Sequence, residues 1–469
     1  MIERLKKSYS LDLRALALLR IGIALVLIAD LSIRLLDLST FYTAEGVMPF
    51  SLVRMYHWNP FEFSLYAYSD TKAYVLFLFC LNYIAALMLL FGYRTRLATI
   101  LCWIFLFSLQ HRNPMILQAG DDLLRLLLFW GIFLPWHYRY SIDADRKAFP
   151  NAQSYFSPAA VAYIVQIFSI YFFTGLLKNH PEWTKDGTAL YYALSLDQIV
   201  YPVGKLIYPY PGLLKFLTIS VFYMEVILPL VLLIPFFVPR WRRLFICIIF
   251  LFQMGIGLTM NVGLFFIINI ISLIGLSPGK EMDWLDRKLK IIRTKGQGLI
   301  EEQSFAKNAL IIFLVIYGFT WNLGTLPAVG YALDDRSNWI GYSLRLDQNW
   351  AMFAPSVFKD DGWFIFEAQK SDGNWIDIKN EGKPINYTKP ENIYKLYGRD
   401  RWRKYYENFL FVFNDWMRGP FCEYTFKQWN QSHPEMKVHK LLIVYMKEVT
   451  APDYKYVKPK REILCSCGD

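Results

Sequence analysis

Apolar runs of bilayer-crossing length recur along this chain, and they constrain its fold more than any other feature. They occupy about residues 11–36, 73–91, 97–110, 120–136, 158–177, 212–238, 244–276 and 309–325. A helix needs roughly 18–25 mostly apolar residues to cross the hydrocarbon core, and several of these runs reach that length. Ordinary soluble proteins do not carry 55% hydrophobic and 18% aromatic residues with a mean hydropathy of +0.25. The fold class implied is an all-α polytopic membrane bundle, with the lipid bilayer as its first partner. The run over 244–276 is too long for one untilted crossing, and Gly255, Gly257, Asn261 and Gly263 fall near its centre. Read as two shortened half-spans around Asn261, it brings the expected total to about nine crossings. No small-residue cleavage site ends the first run, so it reads as an anchor and not as a removed signal peptide.

A formal net charge of +11 raises nucleic acid as a partner, but the placement of the charge argues against it. Arg4, Lys6 and Lys7, then Arg94 and Arg96, then Arg139, Arg146 and Lys147, then Arg240, Arg242 and Arg243, all flank apolar runs. So does the basic, amphipathic stretch over 280–295. With about nine crossings these clusters share one side, which the positive-inside rule makes the cytoplasm. The loop holding His111, the turn holding Lys178 and the whole C-terminal region then lie outside, in a chain anchored in the cell's inner (plasma) membrane.

The chain divides into a transmembrane domain, residues 1–325, and a small α+β extramembrane domain, residues 326–469, which is soluble in composition. In the second, residues 363–369 and 375–378 flank the turn residues Ser371, Asp372 and Gly373 and read as a β-hairpin. Residues 394–429 read mostly as amphipathic helix and 437–449 as a strand. Gln348-Asn349-Trp350-Ala351-Met352-Phe353-Ala354-Pro355 reads as an aromatic plug docking this domain on the bundle. Cys80, Cys102 and Cys247 lie in apolar runs and read as small buried hydrophobes. Cys465 and Cys467 have no nearby histidine, so they read as a free tail, and no metal is expected.

Charges inside apolar runs are costly and mark either a site or an interhelical pair. Asp30 and Arg34 are four apart on the first helix and pair on one face. Arg20 has no local partner and reads as half of an ion pair to another helix. Gly120-Asp121-Asp122 opens a helix whose positive N-terminal end suits carboxylates, and either aspartate reaches Arg125 one turn on. Glu225 lies near the middle of the sixth run. Lys178 ends an aromatic-rich helix, where it either caps the helix dipole or, if desolvated, serves as a base.

The string His111-Arg112-Asn113-Pro114, Gly120-Asp121-Asp122-Leu123-Leu124-Arg125, Phe129-Trp130 and Leu134-Pro135-Trp136 resembles the signature of the HTTM family, the horizontally transferred transmembrane-domain proteins. The resemblance covers about residues 10–325, and residues 348–355 resemble a motif that follows the last helix in that family. These proteins are similar to the membrane part of vitamin K-dependent gamma-carboxylase. Phe172-Phe173-Thr174-Gly175-Leu176-Leu177-Lys178, followed by Trp183, is similar to the carboxylase segment carrying the lysine base, with Leu177 in place of the first lysine of a pair. The resemblance implies a quinol-coupled membrane enzyme of the carbon–carbon lyase class. In it Lys178 deprotonates a reduced quinone, vitamin K or menaquinone-like, and the substrate is a peptide or protein glutamate on the outer side. Where those carboxylases use a histidine near the start of the fourth helix, this chain has Gly120, Asp121 or Asp122, and His111 sits in the preceding turn. The candidate catalytic residues are therefore Lys178, Asp121, Asp122 and His111, and the candidate cofactor-binding residues are Arg125, Glu225 and Asn261. A non-enzymatic lipid- or partner-binding scaffold stands as the alternative. A transporter is the third reading, suggested by the broken run at Asn261.

Overall fold

A computed structural model of the chain describes residues 2–146, 152–234, 238–290, 298–330, 333–452, 455 and 457–468. Lys147, residues 235–237 of the sixth run and residues 291–295 of the basic stretch lie outside the described residues. The structure is 63% helical with a small sheet at the C-terminal end. Helices form where the apolar runs meet capping chemistry. Helix α1 (Leu13–Leu35) starts at Asp12, whose carboxylate accepts the Arg14 N–H. Helices α2 (Lys72–Phe91), α3 (Thr95–Arg112) and α4 (Ala119–Gly131) follow. Helix α5 (Pro158–Leu177) starts on Ser157, which caps the Ala160 N–H, with Pro158 in the first turn where no donor is needed. Helices α6 (Pro211–Ile227), α7 (Val238–Thr259), α8 (Phe265–Ile274) and α9 (Phe305–Gly324) complete the bundle.

Among the described residues, six helices are long and apolar enough to cross a membrane: α1, α2, α5, α6 with its 3-10 extension to Leu232, α7 from Arg240, and α9. Helix α8 and the following Gly279–Lys288 helix, bent by 99°, make a seventh if taken as one broken span. Helix α3 has 18 residues and α4 has 13, and neither falls in that set. The long run over 244–276 does break around Asn261, but its halves are unequal: α7 has 22 residues and α8 has 10. The break is held by the Asn261 N–H donating to Ile199 O at 2.7 Å. Gly263 turns the chain at φ 58°, where an added Cβ would stand 2.5 Å from an Asp400 carboxylate oxygen.

The helix ends sort into two faces. At the first, β1 (Leu11–Asp12), β2 (Ser154–Phe156) and β3 (Leu299–Glu301) form a small sheet, antiparallel then parallel. Arg14 there bonds Asp12, Asp283 and Asp286 at 2.7–3.0 Å. Arg20 is fully buried and, contrary to expectation, hydrogen-bonds no carboxylate among the described residues. It donates to the backbone carbonyls of Trp136, Leu89, Leu90 and Tyr140, which end helices and turns near this face.

At the opposite face sits the C-terminal region. Strands β4 (Asp360–Lys370), β5 (Trp375–Asp377), β6 (Val438–Val449) and β7 (Lys460–Gly468) form an antiparallel sheet in the order β5-β4-β6-β7. The hairpin and the strand over 437–449 are as read from sequence; the last strand is not. Cys467 is no free tail: it lies in β7 and forms a disulfide with Cys422, 45 residues earlier, while Cys465 is a free thiol in the same strand. Of the three cysteines in apolar runs only Cys102 is buried; Cys80 and Cys247 are exposed on the bundle's surface. Helices α10 (Asp400–Leu410) and α11 (Arg418–Ser432) cover the sheet, with α11 packed on β6 and β7.

Candidate functional site

Helix α5 positions the site. Its last turn carries Gly175 against α6, where a Cβ would come within 2.8 Å of Val226 Cγ2 and 3.1 Å of Glu225. Having glycine there lets the two helices approach closely enough for their side chains to pair. Lys178 caps α5, its N–H donating to Gly175 O, and its side chain turns inward. Lys178 Nζ donates to Glu225 Oε2 at 2.6 Å and stands 4.4 Å from the centroid of the Trp183 ring. Both members of the pair are nearly inaccessible, at 4% for Lys178 and 3% for Glu225. A buried ion pair is weak evidence for stability, because desolvation offsets its attraction. Its placement is more telling, for both members line a cavity.

That cavity has a volume of about 480 Å³. Tyr171, Val221, Phe252, Ile256, Met260 and Phe265 give it apolar walls from four helices. Asp122, Gln118, Gln198 and Gln253 add polar groups. The C-terminal region closes it with Asn349, Met352 and Phe353 from the plug and Arg403, Lys404 and Glu407 from α10. Trp183 is fixed by its Nε1–H donating to Phe353 O at 3.0 Å. The plug is anchored by Trp350, fully buried, through a chain running Trp350 Nε1 to Gln348, Gln166 Nε2 to Gln348, and Trp130 Nε1 to Gln166 at 2.9–3.2 Å. On α10, burial pushes the Glu407 carboxyl upward, but Lys404 and Arg403, bonded to it at 2.6 and 2.9 Å, outweigh burial and hold it below the usual carboxylate range.

Of the seven candidate catalytic and cofactor-binding residues, the structure brings Lys178, Glu225 and Asp122 to this cavity and leaves the other four elsewhere. Asp122, and not Asp121, takes Arg125, at 2.9 Å. Asp121 faces the other way, into a buried cluster with Arg34 at 2.5 Å and Arg401 at 2.5 and 2.8 Å. Asp30 completes that cluster, bonded to Arg34 and Arg401 at 2.7 and 2.8 Å. Its two cations and two anions balance, so it reads as a clamp fastening the C-terminal region to α1 and α4. Arg125 is buried away from the cavity, donating to Arg345 O, Asp347 O and Gln110 Oε1. His111 is buried elsewhere, Nδ1 on Phe63 O at 2.9 Å and Nε2 3.9 Å from a Glu62 carboxylate oxygen. Asn261 lines the α7–α8 break without being part of the cavity wall.

Sequence reasoning missed Arg401, Arg403, Lys404, Glu407 and Cys422. The spacing Asp400-Arg403-Glu407 does signal salt-bridged turns of one helix. Nothing local signals that Arg401 reaches Asp30 and Asp121, 371 and 280 residues away. No protein family, no curated protein and no solved structure matches this chain.

Proposed function

We propose that the chain is a nine-pass membrane protein whose outer-facing cavity binds a reduced lipid quinone, with Lys178 as the base that takes a proton from it. The observation that carries this reading is the buried Lys178–Glu225 pair in the wall of a largely apolar cavity of about 480 Å³. Cavities of roughly 300–1,000 Å³ with apolar walls and a few placed polar groups suit one amphipathic small molecule. Helices α6 and α7 both wall the cavity, yet α6 packs on α5 and α7 on α8, and both contact the turn Leu228–Leu232. That arrangement favours a ligand with a hydrocarbon tail reaching the bilayer.

Bound there, a reduced quinone supplies an acidic hydroxyl and the electrons of its oxidation. The protein's share is to move one proton. Transfer from Lys178 Nζ to Glu225 Oε2 leaves a neutral amine and a carboxylic acid, with no change in net charge. The amine then accepts the hydroxyl proton, and the ammonium so formed stays beside the charge it created. The Trp183 ring, its centroid 4.4 Å from Nζ, attracts the ammonium once it has formed. The resemblance to the HTTM family and to carboxylases extends the reading to a lyase acting on a peptide or protein at the outer face.

Nine passes follow from taking α1 to α9 in turn, with α4 and α8 as short members inside the bundle. The C-terminal end of α1, the α3–α4 turn, the end of α5 and the α7–α8 break then share one face with residues 326–468. Contacts of Asp37, Met115, Gln118 and Trp183 with that region support this grouping. A disulfide persists in oxidising compartments, so Cys422–Cys467 supports placing this face outside.

The test is mass spectrometry of small molecules carried through purification of the full chain. The wild type is expected to retain a menaquinone-class molecule, and Lys178→Met, combined with Glu225→Gln so that no buried charge is left unpaired, to lose at least about tenfold of it while staying folded. Retention by both chains alike would sink Lys178 as the contacting base. Retention by neither would favour the scaffold reading.

A further inference from the structure

Away from the cavity, three carboxylates meet where the C-terminal sheet touches the bundle. Asp361 and Glu448 are directly opposed partners on β4 and β6, and Asp197 comes from the bundle, just after the Ala189–Ser195 helix. One oxygen from each lies within 4.8 Å of the others. Like charges directly across an antiparallel pair are destabilising, so something must compensate them. Lys389 Nζ bonds Asp197 and Glu448, and Lys205 bonds Asp197. Two ammonium groups therefore serve three carboxylates, and neither bonds Asp361. Asp361 is only 2% exposed; its Oδ2 accepts the Asp197 N–H at 2.7 Å, while its Oδ1 has no hydrogen-bond partner. That open acceptor, beside two further carboxylates, is where an oxygen-seeking cation would find a ligand.

We infer that Asp197, Asp361 and Glu448 form a site for a divalent cation of the calcium class, which Lys389 guards when the ion is absent. Calcium takes oxygen ligands at about 2.3–2.6 Å, so two ligands across one ion stand at most about 5 Å apart. The three oxygens already meet that limit without backbone movement. Lys389, 38% exposed at the end of a flexible stem, has room to swing outward. Calcium is favoured over magnesium because magnesium keeps several of its waters, and the buried Asp361 side of the site has little room for them. The ion would tie β4 and β6 to the bundle segment at Asp197, stiffening the joint between the two domains.

The experiment is thermal unfolding of the full chain in detergent, stripped with EDTA and titrated with CaCl2 or MgCl2 up to about 10 mM, a range that covers weak extracellular calcium sites. The midpoint of the wild type is expected to rise saturably with calcium and much less with magnesium. Asp361→Asn should abolish the rise, and Asp372→Asn, in the exposed hairpin turn, should keep it. Lys389→Met, which removes the competing ammonium, should shift the calcium response to lower concentration. If Asp361→Asn does not fold, Glu448→Gln takes its place. A wild-type midpoint indifferent to calcium, or a rise that survives both substitutions, would overturn the site.

Discussion

Asp361 shows how one residue can set a pH dependence. Burial and the neighbouring Asp197 carboxylate push its carboxyl up to about 7, against about 3.9 in an unfolded chain. Between those values the folded chain holds more protons than the unfolded one, so stability falls as pH rises from about 4 to about 7. The charged and titratable groups around it are Asp197 and Lys205 of the bundle, Lys389, Glu448 on β6, and Tyr397 and Tyr445. With calcium removed, Asp361→Asn is therefore expected to stabilise the chain at pH 8 by about 1–3 kcal/mol more than at pH 5. Unfolding curves at the two pH values check this, and an equal effect at both would show that Asp361 ionises normally. At the same scale, Lys178 and Glu225 were legible in the sequence one at a time, as charges inside apolar runs. Their pairing was not, because 47 residues separate them and no helical period links them.

Among the elements, the approach of α5 to α6 depends on Gly175. Gly175→Ala gains about 1 kcal/mol of helix propensity. It also places a methyl 2.8 Å from Val226, and overpacking of this kind costs about 1–3 kcal/mol. The second effect is expected to win, lowering thermal stability by up to about 2 kcal/mol and lengthening the Lys178–Glu225 bond, with loss of retained quinone. Thermal unfolding and small-molecule retention measured together check it; unchanged values in both would mean the contact relaxes freely. The apolar runs gave α1, α2, α3 and α5 to within two residues at each end, as with 158–177 and Pro158–Leu177, and the others less closely. The stretch over 394–429 gave less, since it is not one helix: α10 ends at Leu410 and a 3-10 turn with a kink at Asn414 separates it from α11. The β7 strand went unread because its partner β6 and its disulfide partner Cys422 are distant in the chain.

For the whole molecule, the buried cluster of Asp30, Arg34, Asp121 and Arg401 and the pair of Arg399 with Asp37 fasten the C-terminal region over one set of helix ends. The other end gathers Arg14, the β1–β2–β3 sheet and Arg242, which bonds the carbonyls of Ser8 and Ser10. Every placement of the cavity relative to the bilayer rests on these two ends facing opposite sides after nine passes. Labelling in intact cells tests that directly, with Cys80, Cys102, Cys247 and Cys465 replaced and the Cys422–Cys467 disulfide kept. Asp372→Cys sits in the exposed hairpin turn beyond β4, and Arg96→Cys in the first turn of α3 at the opposite end. A membrane-impermeant thiol reagent is expected to modify Asp372→Cys before lysis and Arg96→Cys only after it. Labelling of both before lysis, or of Asp372→Cys only after it, would contradict the nine-pass arrangement and move the cavity off the outer face.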